Sequence, residues 1–320
     1  MKPRVYITRK IPEPIVAYIK ERCEVKMWDS EDVPVPADIL EEEIKSVDGL
    51  FCLLTESIDQ SLLSKAQKLK VISNMAVGYN NIDIDAAIEK GITVTNTPGV
   101  LTETTADLTF ALLMATARRL IESSEYLREG KWKTWSPMQL TGQDIYGSTL
   151  GIIGMGRIGE AVVRRAKGFN MKILYSSRNR KYHVEEELNA QYVAMNDLLQ
   201  EADYVCVMTP YTEETRNLID EHELSLMKNT SILINIARGG IVNETALYKA
   251  LKDGQIWAAG LDVFETEPVS LEHPLLTLPN VVTLPHIGSA SVQTRLNMAK
   301  LAAYNLLHAL EGKSPKFVVC

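Results

Sequence analysis

Short apolar, β-rich runs punctuate the chain, and between them lie stretches whose apolar positions fall three and four residues apart. Unbroken apolar runs suit strands buried on both faces, and the longer period suits helices with one buried face. Strands are predicted at Val5–Ile7, Val25–Met27, Gly49–Leu53, Val71–Ser73 and Thr93–Thr95, and again at Leu150–Ile153, Lys172–Tyr175, Tyr204–Val207, Ile232–Asn235, Ala258–Leu261 and Val281–Thr283. Helical patterns lie between them, such as Ala37 to Lys45 opened by Pro36, and two long ones run from Thr102 to Arg128 and from Ser291 to Glu311. Strands alternating with helices predict an α/β fold of parallel sheets covered by helices.

One turn carries more information than the rest. The run Leu150–Ile153 feeds directly into Gly154-Met155-Gly156-Arg157-Ile158-Gly159, then into a helical pattern from Glu160 to Lys167, and a second apolar run, Met171 to Tyr175, follows. In such a βαβ unit the first glycine permits the sharp turn, the second admits a pyrophosphate, and the third lets helix pack on sheet. The helix N-terminus offers unpaired N–H groups to the phosphates. Gly154, Gly156, Arg157, Ile158 and Gly159 are therefore candidate cofactor-binding residues. The signature lies mid-chain, so a nucleotide domain does not begin at residue 1. The economical layout has two Rossmann-like or flavodoxin-like domains with the nucleotide domain inserted in the other: residues 1–100 and 290–320 form a substrate-binding domain, and 101–289 an NAD(P)-binding Rossmann domain. A substrate is expected in the cleft between them.

Composition narrows the class. The 320 residues are 46% hydrophobic and 23% charged, with a net charge of −7, ordinary values for a soluble globular protein. No basic tail or patch suggests nucleic-acid binding. No apolar run is long enough to span a bilayer, and Met1–Ile7 reads as a strand rather than a signal peptide, so a cytoplasmic protein without membrane attachment is expected. The four cysteines, Cys23, Cys52, Cys206 and Cys320, are scattered without a C-x-x-C pair, which disfavours disulfides and zinc. Cys52 and Cys206 fall inside apolar strands and are expected to be buried.

The second strand of the nucleotide domain ends in Tyr175-Ser176-Ser177-Arg178-Asn179-Arg180-Lys181. An NAD-specific site places a carboxylate there for the ribose 2′-OH. Here Ser177 takes that place and Arg178 stands beside it, a pairing suited to a 2′-phosphate dianion that an Arg grips with two N–H bonds. NADP(H) is the expected preference, with NAD(H) also usable.

Three loops that follow strands carry candidate chemistry: Asn235-Ile236-Ala237-Arg238-Gly239, Leu261-Asp262-Val263-Phe264-Glu265-Thr266-Glu267-Pro268, and Leu284-Pro285-His286-Ile287-Gly288. Ligands in open α/β sheets bind beyond the carboxyl ends of strands. Reducing a 2-oxo acid calls for an Arg to hold the carboxylate and polarise the ketone. It also calls for a His to supply a proton, and a carboxylate that orients the ring and favours its charged form. Spacing alone leaves Glu267, Glu265 and Asp262 open as that carboxylate.

Taken together, Val77-Gly78-Tyr79-Asn80-Asn81-Ile82-Asp83, the glycine signature, Asn235-x-x-Arg238-Gly239, Leu261-Asp262-Val263-Phe264-x-x-Glu267-Pro268 and Pro285-His286-Ile287-Gly288 resemble the D-isomer-specific 2-hydroxyacid dehydrogenase family over essentially the whole chain. The resemblance implies that Arg238 binds the substrate carboxylate and carbonyl, and that Glu267 pairs with the catalytic His286. It further implies that Asp262 contacts the nicotinamide amide, and that Val77 and Gly78 hold the substrate carboxylate through backbone N–H groups. It implies a homodimer whose contacts centre on the nucleotide domain. Within the family the chain is most similar to glyoxylate/hydroxypyruvate reductases, including enzymes that also reduce 2-ketogluconate. Lys131-Trp132-Lys133-Thr134-Trp135 and the Ser177/Arg178 turn support this, with Trp135 matching a residue that reaches the partner's active site. Loops near Leu53-Leu54-Thr55 are expected to read the substrate tail. Family formate dehydrogenases carry Gln where Glu267 stands, which disfavours formate oxidation. Nucleotide-sensing co-repressors share the fold and are the alternative. The chain shows neither their peptide-binding surface nor disordered flanks, and an enzyme without the extensions of the longer phosphoglycerate dehydrogenases is expected.

Overall fold

The structure is a computed structural model that describes residues 2–320. The chain divides into two units, one running to Leu101 and completed by Ala290–Cys320, the other spanning Thr102–Ser289.

The first unit holds five parallel strands, β1 (Arg4–Ile7), β2 (Glu24–Met27), β3 (Gly49–Cys52), β4 (Val71–Asn74) and β5 (Thr93–Thr95), in the order β2-β1-β3-β4-β5. This is the flavodoxin-like order, with its switch point between β1 and β3. Strands β3 and β4 are buried along their whole length, whereas the edge strand β2 alternates between exposed and partly buried positions. The C-terminal helix Val292–Leu310 covers this sheet: an added Cβ at Gly49 would sit 2.9 Å from Leu306, and Ser73 Oγ donates to Ala302 O at 2.8 Å. The chain end joins too, through Val94 N–H to Cys320 O (3.0 Å) and Val319 N–H to Val94 O (2.7 Å).

The second unit holds seven parallel strands: β6 (Thr149–Ile153), β7 (Lys172–Ser176), β8 (Ala190–Tyr192), β9 (Tyr204–Val207), β10 (Ile232–Asn235), β11 (Ala258–Leu261) and β12 (Val281–Thr283). Their order, β12-β11-β10-β9-β6-β7-β8, is the doubly wound Rossmann order with a seventh strand added. Alternate strand residues feed two separate cores. Ile152, Tyr204, Cys206 and Ile234 enter one, while Ile153, Val205, Val207 and Leu233 enter the other. Helix Thr102–Ala117 packs so tightly on β11 that a Cβ at Gly260 would lie 2.7 Å from Thr116 Oγ1.

The predicted strands stand within a residue of their expected limits. Two expectations fail. The helical pattern Thr102–Arg128 is two helices, Thr102–Ala117 and Leu120–Arg128, broken where Arg119 turns left-handed at φ 51°. The loop at Gln143 causes the break: its N–H takes the Ala117 carbonyl at 2.9 Å, and Gly142 lies against the same carbonyl. Strand β8 was not expected, because Gln191 and Tyr192 are exposed and give no apolar run. Cys52 and Cys206 are wholly buried, which pushes both thiols up, Cys206 to about 12. Among the described residues no helix is long and apolar enough to cross a membrane, and no cluster of metal-ligating side chains occurs.

Candidate active site

The glycine turn leaves β6 as its sequence requires. Gly154 adopts φ 97°, and a Cβ there would meet Thr209 N at 2.7 Å, so both conformation and space demand glycine. Gly159 lies inside helix Arg157–Ala166, where a Cβ would meet Gly154 O at 3.0 Å and Ile152 Cγ2 at 3.2 Å. Gly156 differs: φ is −103° and nothing lies within 4 Å of its would-be Cβ. The protein's own packing does not need a glycine there, so the open space suits a ligand's phosphates. Gly156 is also the N-cap of that helix, with no side chain capping the N–H groups. Arg157 is exposed and Ile158 packs partly into the core.

At the end of β7, Ser177 Oγ donates to Asn179 O at 2.7 Å. Arg180 is committed to Glu185 by two bonds of 2.8 and 2.7 Å and lies over the rings of Tyr182 and Tyr192. Arg180 and the Tyr175 hydroxyl hold the Glu185 carboxyl down at about 2. Arg178, exposed in the same turn, has no carboxylate partner among the described residues.

Beyond β10, Asn235 closes a tight loop by accepting from Ala237 N–H (3.1 Å) and donating to Arg238 O (2.9 Å). That loop packs directly on the segment after β11, since a Cβ at Gly239 would fall 1.8 Å from Phe264 O. Arg238 therefore lies beside the loop that carries Glu267. Burial draws the Arg238 guanidinium below its ordinary value, and the charge of Glu267 opposes this.

Glu267 accepts from Phe264 N–H at 3.0 Å through one oxygen and pairs with His286 Nδ1 at 2.6 Å through the other. Burial works to raise its carboxyl, but the His286 hydrogen bond and charge, Phe264 N–H and Arg238 together hold it below the usual carboxylate range. His286 occupies the left-handed region at φ 54°, a costly conformation for a residue with a side chain. Asp262 holds it there: the side chain is wholly buried, and its two oxygens accept from Ile287 N–H (2.7 Å) and Gly288 N–H (2.8 Å). Burial pushes the Asp262 carboxyl up while those N–H groups and His286 pull it down. Of the three carboxylates left open by spacing, Glu267 meets the histidine, Asp262 holds the loop, and Glu265 is exposed with its N–H on Glu244 at 2.7 Å.

In the first unit, Val77 and Gly78 follow β4. Their carbonyls are tied back by Asn96 Nδ2 (2.8 Å) and Asn74 Nδ2 (2.9 Å), and neither residue's N–H has a partner among the described residues. Two adjacent free N–H groups are a seat for a carboxylate. Trp135, in the second unit, is 77% exposed. A recess of about 610 Å³, lined among others by Arg119, Glu122, Trp257 and Asn280, includes none of these residues.

Sequence reasoning missed Asn74 and Asn96 and gave Asn235 no role of its own, although an Asn at or just beyond a strand end before a glycine-rich turn is the signal for such a clasp. It also missed the pairing of Glu244 with His273 Nε2 at 3.0 Å, whose residues lie too far apart in sequence to suggest it.

Residues 110–288 match the NAD-binding domain of the D-isomer specific 2-hydroxyacid dehydrogenases. The chain is 52% identical to the glyoxylate reductase of Korarchaeum cryptofilum over 320 residues, covering 100% of this chain and 96% of that protein. It is also 52% identical to the glyoxylate reductase of Pyrococcus horikoshii over 323 residues, with the same shares covered. The crystal structure of the TT0316 protein from Thermus thermophilus superposes with a TM-score of 0.92 at 44% identity, covering 99% of this chain and 100% of that one. The NADPH-dependent glyoxylate/hydroxypyruvate reductase of Sinorhizobium meliloti, solved with NADP and malonate, gives 0.88 at 33% identity, covering 100% and 97%.

Proposed function

The chain belongs to the D-isomer-specific 2-hydroxyacid dehydrogenases, and from that membership we propose that it reduces a small 2-oxo acid to the D-2-hydroxy acid with NADPH. Glyoxylate, hydroxypyruvate and 2-ketogluconate are the candidate substrates, since two relatives named as glyoxylate reductases cover the whole chain. The observation that carries the reading is the Glu267–His286 pair at 2.6 Å, on a loop against which the Arg238 loop packs. NADPH oxidation measured against a panel of 2-oxo acids tests it. Turnover of glyoxylate with formation of glycolate supports it, and no turnover of any of the three overturns it.

When bound, the reduced nicotinamide supplies the hydride. The free N–H groups of Val77 and Gly78 are the proposed seat of the substrate carboxylate. The guanidinium of Arg238 holds carboxylate and ketone oxygen with its planar donor fork. Glu267 fixes the Nδ1 side of His286, leaving Nε2 to give its proton to the alkoxide oxygen as the carbonyl carbon is reduced. Glu267, held below the usual carboxylate range, stays ionised beside the ring and fixes its orientation. Asp262 acts as a positioning residue that keeps His286 in its left-handed conformation.

The glycine turn fits a dinucleotide: Gly154, Gly156 and Gly159 with Arg157 and Ile158 would hold the pyrophosphate at the helix N-terminus. Ser177 and Arg178 would take the 2′-phosphate, and the commitment of Arg180 to Glu185 supports Arg178 as its principal clamp. The unit Thr102–Ser289 would thus serve the cofactor and the other unit the substrate. A homodimer is proposed through the second unit, where Leu120, Ile121, Leu127, Trp132, Trp135 and Met138 expose apolar surface along one stretch of chain. The four unpaired cysteines suit work in the cytoplasm.

A further inference from the structure

In the first unit the sheet's switch point, between β1 and β3, carries a buried polar cluster that the chemistry above does not use. Glu56 stands at its centre with a side chain only 2% exposed. Its carboxylate accepts from Leu53 N–H (2.7 Å), Thr55 Oγ1 (2.6 Å), Thr8 Oγ1 (2.8 Å) and, at 3.4 Å, Arg9 Nη2. Arg9, 10% exposed, also donates to Thr55 Oγ1 at 2.9 Å and to Glu31 O at 3.1 Å. Burying such a pair costs desolvation on both sides, so it is weak evidence for stability as such. What it does geometrically is specific. Thr8 and Arg9 follow β1 and Leu53–Thr55 follow β3, so one carboxylate ties two strand ends together.

The tie extends to the carboxylate seat. Asn81, on the loop that begins at Val77 and Gly78, donates through Nδ2 to Leu53 O (3.1 Å) and Glu56 O (2.9 Å). Leu53 is therefore held at its N–H by Glu56 and at its carbonyl by Asn81. Ile58 N–H to Asn81 O (2.8 Å) and Asp83 N–H to Ile58 O (2.9 Å) join the same two loops. Leu53 and Leu54 are the partly exposed side chains of the loop clasped to the one that begins at Val77 and Gly78.

Resting on the 2-oxo acid reading above, we propose that Glu56 is a positioning residue for substrate-tail selectivity: it holds the Leu53–Thr55 loop against the carboxylate seat and so favours the shortest 2-oxo acids. Releasing the loop widens the space for the tail, and pocket differences of one carbon are worth about tenfold or more in discrimination.

The test compares kcat/KM for hydroxypyruvate and glyoxylate, together with Tm, in wild type, Glu56→Gln and the double variant Arg9→Met/Glu56→Gln. The double variant leaves no uncompensated buried charge and covers the case in which the single one fails to fold. Leu63→Ala, a core truncation in the same unit, is the control for lost stability. The hydroxypyruvate-to-glyoxylate ratio is expected to rise about tenfold in the Glu56 variants, carried by KM, and to stay fixed in Leu63→Ala. An unchanged ratio in the double variant, with only Tm lowered, overturns the proposal while leaving the reductase reading intact. A wild-type protein inert toward both acids overturns the proposal, and one inert toward 2-ketogluconate as well overturns the reductase reading too.

Discussion

His286 pairs through Nδ1 with a carboxylate and sits on backbone held left-handed by two hydrogen bonds to Asp262. In the proposed reaction it is the general acid, a role that contributes about 10²–10⁴-fold to turnover. His286→Ala is expected to lower kcat by that factor while NADPH affinity, read by fluorescence titration, stays near wild type; a variant retaining most of its kcat removes His286 from the proton's path. In the same proposal Glu267 sets the pH dependence at the acid end. Its carboxyl is lowered in the folded protein, so the ionised pair is complete above the usual carboxylate range and is lost only as pH falls through the lowered value. Wild-type reduction should therefore hold its activity down through that range. In Glu267→Gln the carboxylate that holds Nδ1 is gone, so kcat should fall at every pH and the dependence on the Glu267 carboxyl at the acid end should vanish. An unchanged kcat separates Glu267 from proton transfer.

The three glycines of one turn answer to different forces, and their substitutions should part company. Gly154→Ala meets both a left-handed backbone and a 2.7 Å clash with Thr209 N, so Tm should fall. Gly156→Ala meets open space at an ordinary φ, so Tm should hold while NADPH binds more weakly. Equal cofactor affinity in Gly156→Ala and wild type would place the phosphates elsewhere. The turn after β7 divides in the same way. Hydrogen bonds to charged groups contribute about 1.5–3 kcal/mol, so Arg178→Ala should weaken NADPH roughly ten- to a hundredfold and leave NADH almost untouched. Ser177→Asp should go further and shift kcat/KM toward NADH. A loss shared equally by both cofactors makes the basic turn a solvated surface.

Across the whole molecule, the fold was legible wherever burial on both faces imposes apolar runs, as in β3, β4, β9 and β10. It was illegible where distant chain decides: Gln143 stops the helix at Ala117, and β8 pairs at a sheet edge with polar residues. The site divides likewise. Its strand-end positions could be read from the sequence, but the choice of Glu267 over Glu265 needed the family resemblance, and spacing gave no sign that Asp262 holds Ile287 and Gly288. The apolar stretch around Trp135 points to assembly. Sedimentation should show a dimer, and Trp135→Ala should weaken it or, if the indole reaches the partner's site, raise KM; a wild-type monomer overturns the assembly.

The return of the chain to its first sheet also governs the order in which the protein can be made. Helix Val292–Leu310 and the Val319–Val94 pairing belong to a unit begun at the N-terminus. Domains fold as units during synthesis, at about 5–20 residues per second. The contiguous span Thr102–Ser289 can close as soon as it clears the ribosome. The earlier-born sheet must wait, with β3, β4 and β5 lacking their cover on one side, until Val292–Leu310 has been made. The unit begun first is thus the unit finished last, and a chain that stops before Val292 leaves the Thr102–Ser289 unit attached to a sheet that lacks this helix.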